Sequence, residues 1–341
     1  MKIKTNPELE RFFASCKHHL THETKNDFLG LLVTQQNEAQ IQQKMKEAGF
    51  AEFEGPPSSW PSLFISTQAF LRSPYHSNVH LDKIQNQGFR LTTETLESHE
   101  LFSVSSIHSD PHRELNDWMT LRALDEPYKA TFLWQDKEVW MLDAPSEANT
   151  MDPYAKKAKG NVLTFGLGIG YFIYMAMMNP EVTSITVIEK SRAVIDMFEK
   201  VLLPQFPKHP TLTIIEGDAF NFFDEEFMKD YDYTFVDIWQ SNEDGFKMIM
   251  RLLEQYLPPF EKVDFWIESS CFEFIPALIY LTFESSAHHR VMKHPDKLYQ
   301  KVLKKISKVM DELDETVTEV DRLKTLMYDP ETLRKIIATK L

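Results

Sequence analysis

Asn161-Val-Leu-Thr-Phe-Gly-Leu-Gly-Ile-Gly170 is the stretch on which the reading of this chain turns. Its first half, Asn161 to Phe165, is β-rich and follows the basic, glycine-closed stretch Lys156 to Gly160. The second half holds Gly166, Gly168 and Gly170 and opens the helical-looking segment Tyr171-Phe-Ile-Tyr-Met-Ala-Met-Met178. Strand, glycine turn and helix N-terminus in that order let a backbone come close to a nucleotide. Glycine brings neither a side chain nor a φ restriction to the turn.

Working outward, the apolar run Ser184 to Ile188 ends in Glu189, nineteen positions past Gly170. A carboxylate at the tip of a second strand is placed to accept hydrogen bonds from both hydroxyls of a ribose. An amphipathic helix follows, with Val194, Ile195, Phe198, Val201 and Leu202 on one side, closed by Pro204 and Pro207. Three more strands read Leu212 to Ile215, Tyr233 to Val236 and Val263 to Ile267. They run into Glu216-Gly-Asp-Ala-Phe220, Asp237-Ile-Trp-Gln240 and Glu268-Ser-Ser270. Each strand thus finishes in polar or acidic residues at its carboxyl end, where an open parallel sheet binds its ligands. The expectation is an α/β fold with a doubly wound, mostly parallel Rossmann-like sheet. Functional roles are expected for Glu189 and Asp218, and with less weight for Asp237 and Glu268.

A nicotinamide-binding turn would carry a third glycine at position 171, where this chain has Tyr171. Gly-x-Gly-x-Gly, then Glu189, then Gly217-Asp-Ala219 resembles instead the class I S-adenosylmethionine-dependent transferases. Within them the pattern is similar to the spermidine synthase-like branch over residues 129 to 270, including Gly217 to Phe220 and Tyr231 to Asp237. The resemblance implies that Gly166, Gly168, Gly170, Glu189, Asp218 and Ala219 hold S-adenosylmethionine. Glu189 would take the ribose and Asp218 the adenine amino group.

Two positions depart from the polyamine synthases. Ile169 stands where they carry an aspartate inside the glycine loop, and Gln240 replaces the second acid after the fourth strand. The function expected is therefore methyl transfer to an unidentified small molecule, with S-adenosylhomocysteine as product. Asp237 is the candidate for orienting the acceptor or taking its proton. Trp239, Gln240 and Tyr154 are candidates for contact with the substrate, Trp239 equally for closing the end of the sheet. The rivals are transfer of an aminopropyl or aminocarboxypropyl arm, and a non-catalytic nucleoside-binding protein of the same fold.

At 341 residues the chain can bury a sizeable core, and 43 % hydrophobic residues is a globular value. A net charge of −14, from 51 acidic and 37 basic residues, repels nucleic acid in the mean field. Cys16 and Cys271 alone make no disulfide framework. No apolar run reaches the ~18 residues that span a bilayer. The opening Met1 to Pro7 lacks the apolar core of a signal peptide, so the expected location is cytoplasmic with no membrane partner.

The organisation expected is a mostly helical N-terminal domain (1–105), a connecting segment with a β-hairpin (106–145), the α/β core (146–285) and a helical extension (286–341). Residues 7 to 50 read as helical, and Trp60 to Leu101 is left unassigned. Trp118 to Leu124 reads as a helix, and Lys129 to Trp134 with Lys137 to Leu142 as a hairpin around Gln135-Asp136. After the fifth strand, Phe274 to Phe283 reads as a buried helix. The amphipathic stretch 296–327 is expected to pack on the chain's own core, which leaves a homodimer open. Its sheet lacks clear candidates for the two further strands methyltransferases usually have. His18, His19 and His22, His76 and His80, and His108 and His112 are spaced like metal ligands, but prolines beside the latter pairs argue for ordinary surface histidines.

Overall fold

The computed structural model describes residues 2–21, 25–84, 88–135 and 137–341. Met1, His22 and Asp136 of the sequence reading lie outside the described residues. The centre is a five-stranded sheet: β1 (Gly160–Phe165), β2 (Val182–Glu189), β3 (Thr211–Glu216), β4 (Tyr233–Val236) and β5 (Val263–Phe265). All neighbours pair in parallel, in the order β3-β2-β1-β4-β5. Every residue of β4 is buried, as expected of a strand covered by helices on both faces. The register aligns Phe165 with Ile188 and with Val236, so the carboxyl ends of β1, β2 and β4 finish level. Because β2 leaves β1 on one side and β4 on the other, the order reverses next to β1, where such sheets open a crevice.

The helices that matter to that crevice are α1 (Pro145–Lys157), α2 (Tyr171–Met177), α3 (Arg192–Met197) and α4 (Asn242–Gln255). Beyond β5 come α5 (Ile275–Ala287), α6 (Lys297–Glu312), α7 (Val320–Tyr328) and α8 (Pro330–Ala338). The amphipathic stretch 296–327 is therefore two helices, interrupted where Thr316–Val317 pairs with Lys2–Ile3. α6 buries Val302, Ile306 and Val309 in the chain's own core. Among the described residues, no strand after β5 joins the central sheet, and no helix is long and apolar enough to cross a membrane.

Residues 1–105 contribute to more than one core. Helix Pro7–Thr21 lays Leu9, Phe12, Phe13 and Cys16 into the central core, with Phe13 against Tyr280 of α5 at 5.9 Å between ring centres. Phe28, Val33, Ile41, Met45, Phe50 and Phe53 gather a separate small core with Leu101 and Leu121. The unassigned stretch supplies strand Arg90–Leu96, which pairs antiparallel with Tyr128–Gln135 and so adds a third strand to the hairpin that Glu138–Asp143 completes. The helix expected over Trp118 to Leu124 is not formed: Leu121–Leu124 is a strand between Phe64–Ile65 and Phe102–Ser103. Leu121 and Ala123 bury on one face while Arg122 turns to Glu52 at 2.7 Å on the other, a two-residue alternation that a helix cannot provide.

The C-terminus is tied under the sheet by Arg334 of α8, whose side chain is almost wholly buried. Its guanidinium donates to both oxygens of Glu268 at 2.7 Å and lies over the rings of Phe260 and Phe265. Glu268, expected as a site residue, is occupied by this pairing and does not line the crevice. Removing one partner of a buried pair strands the other charge, so Glu268→Ala should cost about 3–5 kcal/mol in a denaturant titration. A loss under about 1 kcal/mol would show that Arg334 finds water or another partner.

Candidate functional site

The site begins where β1 ends. Gly166 donates its amide to Ile188 of β2 at 2.9 Å, and Phe165 accepts from the amide of Asp237 at 2.9 Å. The turn is thereby held between two strands that diverge. Gly166 has φ of 100°, and a Cβ there would overlap the carbonyl oxygen of Asp237. A Cβ on Gly168 would come within 2.7 Å of the Met141 methyl. At both positions the neighbouring atoms leave no room for a side chain. Gly170 then caps α2. From above, the buried Tyr75 donates its hydroxyl to the carbonyl of Ile169 at 2.8 Å, which fixes the loop against the N-terminal segment.

Glu189 ends β2 as expected, and its two oxygens accept separate amides, Leu167 at 3.0 Å and Ser191 at 2.7 Å. Each carboxylate oxygen retains a further lone pair for a ligand. Burial pushes the carboxyl above its ordinary range against those two amides. Asp218 sits at the end of β3, bonded to Lys190 at 2.8 Å and to the amide of Phe220 at 3.1 Å. Its bond to Lys190 holds it below the ordinary carboxylate range.

Gly166, Gly168, Gly170, Glu189, Asp218, Ala219, Asp237, Trp239 and Gln240 all border one cavity of about 360 Å³. Tyr154 does not. The C-terminal half of α1 lies on the sheet, and the Tyr154 ring packs 5.1 Å from that of Phe235, so this residue is part of the core. Trp239 borders the cavity and is buried 6.4 Å from the Phe265 ring. Its indole N–H meets no acceptor among the described residues.

The opposite wall comes from residues the sequence reading missed. The hairpin strand Glu138–Asp143 brings Met141 and Asp143 to the cavity, and the first turn of α1 brings Glu147. Asp143 is fully engaged, accepting from Tyr128 at 2.9 Å and lying 2.8 Å from His76 Nε2, whose Nδ1 is 2.6 Å from Ser73. Glu147 and Asp237 differ from it: neither carboxylate accepts a hydrogen bond from the described residues. Burial, then Asp143, pushes Glu147 up to about 7. Burial, then Glu147, pushes Asp237 well above the carboxylate range. The signal in sequence was a pair of acids, Asp143 and Glu147, on either side of Pro145, where a strand hands over to a helix start.

Compared with protein-family models and with curated proteins, the chain matches neither. Among the described residues, no group of three or more His, Cys, Asp or Glu side chains is placed to hold a metal ion. His76 serves Asp143 rather than pairing with His80, and His108 stacks on Trp118.

The acid end of the cavity gives stability a definite pH dependence. The Glu147 carboxyl ionises near 4.5 when unfolded and near 7 in the native chain. Across that window the native state binds more protons, so stability falls as pH rises. Glu147→Gln should therefore stabilise the ligand-free chain at pH 8 by about 1–3 kcal/mol relative to its effect at pH 4.5. Denaturant midpoints at the two pH values decide it, and equal effects at both would mean Glu147 ionises as if exposed.

Proposed function

We propose that this chain is an S-adenosylmethionine-dependent methyltransferase of the class I type, nearest in pattern to the spermidine synthase-like branch, acting in the cytoplasm on a small-molecule acceptor. The observation that carries this reading is Glu189, fixed by two backbone amides at a cavity bordered by the three glycines of the loop. The surroundings fit a nucleoside. Gly166, Gly168 and Gly170 border the cavity with backbone alone, and Glu189 has lone pairs left for two ribose hydroxyls. Asp218 and Ala219 border the same cavity where the adenine would lie. Against a nicotinamide cofactor stands Tyr171, whose hydroxyl donates to Asp152 at 2.9 Å in place of a third glycine.

When bound, the cofactor supplies a methyl carbon activated by positively charged sulfur. What falls to the protein is alignment, exclusion of water and management of a proton. The glycine loop and Glu189 fix the nucleoside. Trp239 and Met141 wall the reaction space from solvent. Asp237, which follows β4 directly and lies beside the loop at Gly166, holds the acceptor and receives its proton. A second reading, transfer of an aminopropyl arm to an amine, draws on one observation: Glu147 brings a second carboxyl beside Asp237, although Gln240 has replaced the acid expected in sequence. Ile169 weighs against it, since its side chain is buried where those synthases place an aspartate.

Two measurements check the reading. S-adenosylmethionine or S-adenosylhomocysteine at a hundred times its dissociation constant should stabilise the chain by ~2.7 kcal/mol in a thermal-shift assay, with no shift from NAD. A shift from NAD alone would refute the assignment. In an acceptor screen, turnover should release S-adenosylhomocysteine, and Asp237→Asn should slow it by ~10²-fold with little change in cofactor affinity. Release of methylthioadenosine would decide for aminopropyl transfer.

A further inference from the structure

Resting on that nucleoside reading, we propose that Glu147 and Asp237 form a charge sensor that binds the sulfonium cofactor in preference to its neutral thioether product, by exchanging one proton with solvent. Both side chains border the same cavity, Asp237 from the end of β4 and Glu147 from the first turn of α1, and neither receives a hydrogen bond from the described residues. A half-buried carboxylate without a donor is a costly anion, and two that face one cavity resist ionising together. They titrate as a pair.

The groups around the pair support this. From the hairpin strand, Asp143 faces Glu147, but His76 and Tyr128 occupy its oxygens, so it acts as a fixed neighbour and not a third member. From α2, Tyr171 is turned to Asp152 of α1. Past β5, the Cys271 thiol is pushed up to about 12, chiefly by burial, and stays neutral. Among the described residues, the Lys and Arg that border the cavity are Lys190, bound to Asp218, and Arg251, over the Phe220 ring at 4.1 Å. No fixed cation among the described residues neutralises Glu147 and Asp237. With the cavity empty near neutral pH, the pair keeps at least one proton.

A permanent positive charge at sulfur lowers the cost of ionising the pair, so a proton leaves to solvent as the sulfonium enters. The thioether brings no such charge and leaves the proton in place. The same exchange closes the reaction. The acceptor's lone pair forms the new bond to carbon, the electron pair of the broken C–S bond stays on sulfur, and the acceptor's displaced proton goes to the ionised carboxylate. Enzyme carboxylate, sulfonium and neutral acceptor become carboxylic acid, thioether and methylated acceptor, with charge balanced. The product then faces a pair that has regained its proton and no longer favours it over the incoming sulfonium.

The test is the dissociation constants of S-adenosylmethionine and S-adenosylhomocysteine for the full chain, by calorimetry from pH 5 to 8. Both ligands carry an α-amino and a carboxyl group and both meet Glu189, so those titrations largely cancel in the ratio of the two constants. The preference for the sulfonium should grow with pH, approaching tenfold per unit below about 7 and levelling above it. In the Glu147→Gln, Asp237→Asn double variant the ratio should stay within about threefold over the range. A wild-type ratio that is the same at pH 5 and 8, or an undiminished slope in the double variant, overturns the inference. If the double variant fails to fold, the wild-type ratio decides alone. Failure of both nucleosides to bind at every pH overturns the underlying reading and this inference with it.

Discussion

The contact between the backbone of Gly166 and the carbonyl of Asp237 is the constraint on which the rest of this structure depends. The ends of β1 and β4 can be drawn together only because position 166 has no side chain. That closeness lets the Asp237 amide bond Phe165 while Gly166 bonds the other way, to Ile188. The turn that results points the amide of Leu167 at Glu189 and starts α2 at Gly170. A branched residue at 166 would part the two strands, and the cavity would lose its floor and Asp237 its position together.

On that frame the cavity is electrically two-ended. At the β2–β3 end, Lys190 and Arg251 stand near Asp218, and the carboxylates are either salt-bridged or tied to amides. At the β4 end stand Asp143, held by His76 and Tyr128, and Glu147 and Asp237, with which no Lys or Arg among the described residues pairs. Burial alone makes that second end costly, and the protein spends no internal hydrogen bond to relieve it at Glu147 or Asp237. Sites of this kind are kept where a ligand or a reaction supplies the missing charge.

The parts of this architecture legible in sequence are local ones. Strand, glycine turn and helix occupy residues 160 to 177 without a break, Glu189 closes its strand, Asp237 follows its strand directly and Asp218 comes one residue later after its own. What was not legible depends on distant partners. A strand-end acid looks the same whether it faces a ligand or, like Glu268, an arginine in the last helix. Tyr154 lies just before β1, yet the rotation of α1 puts its ring on Phe235 instead of in the cavity. The roof is harder still: Tyr75 and His76 sit in a stretch without clear periodicity, and only the folded chain shows them holding Ile169 and Asp143. Leu121–Leu124 was misread because four residues are too few to separate a two-residue from a 3.6-residue period.

A crystal structure of the chain with S-adenosylhomocysteine tests the central claim most directly. The account predicts the ribose hydroxyls on Glu189, the adenine beside Asp218 and Ala219, and the sulfur facing Glu147 and Asp237. A nucleoside lying in the reverse sense, with its base at the acid end, or one bound away from the glycine loop, would contradict it.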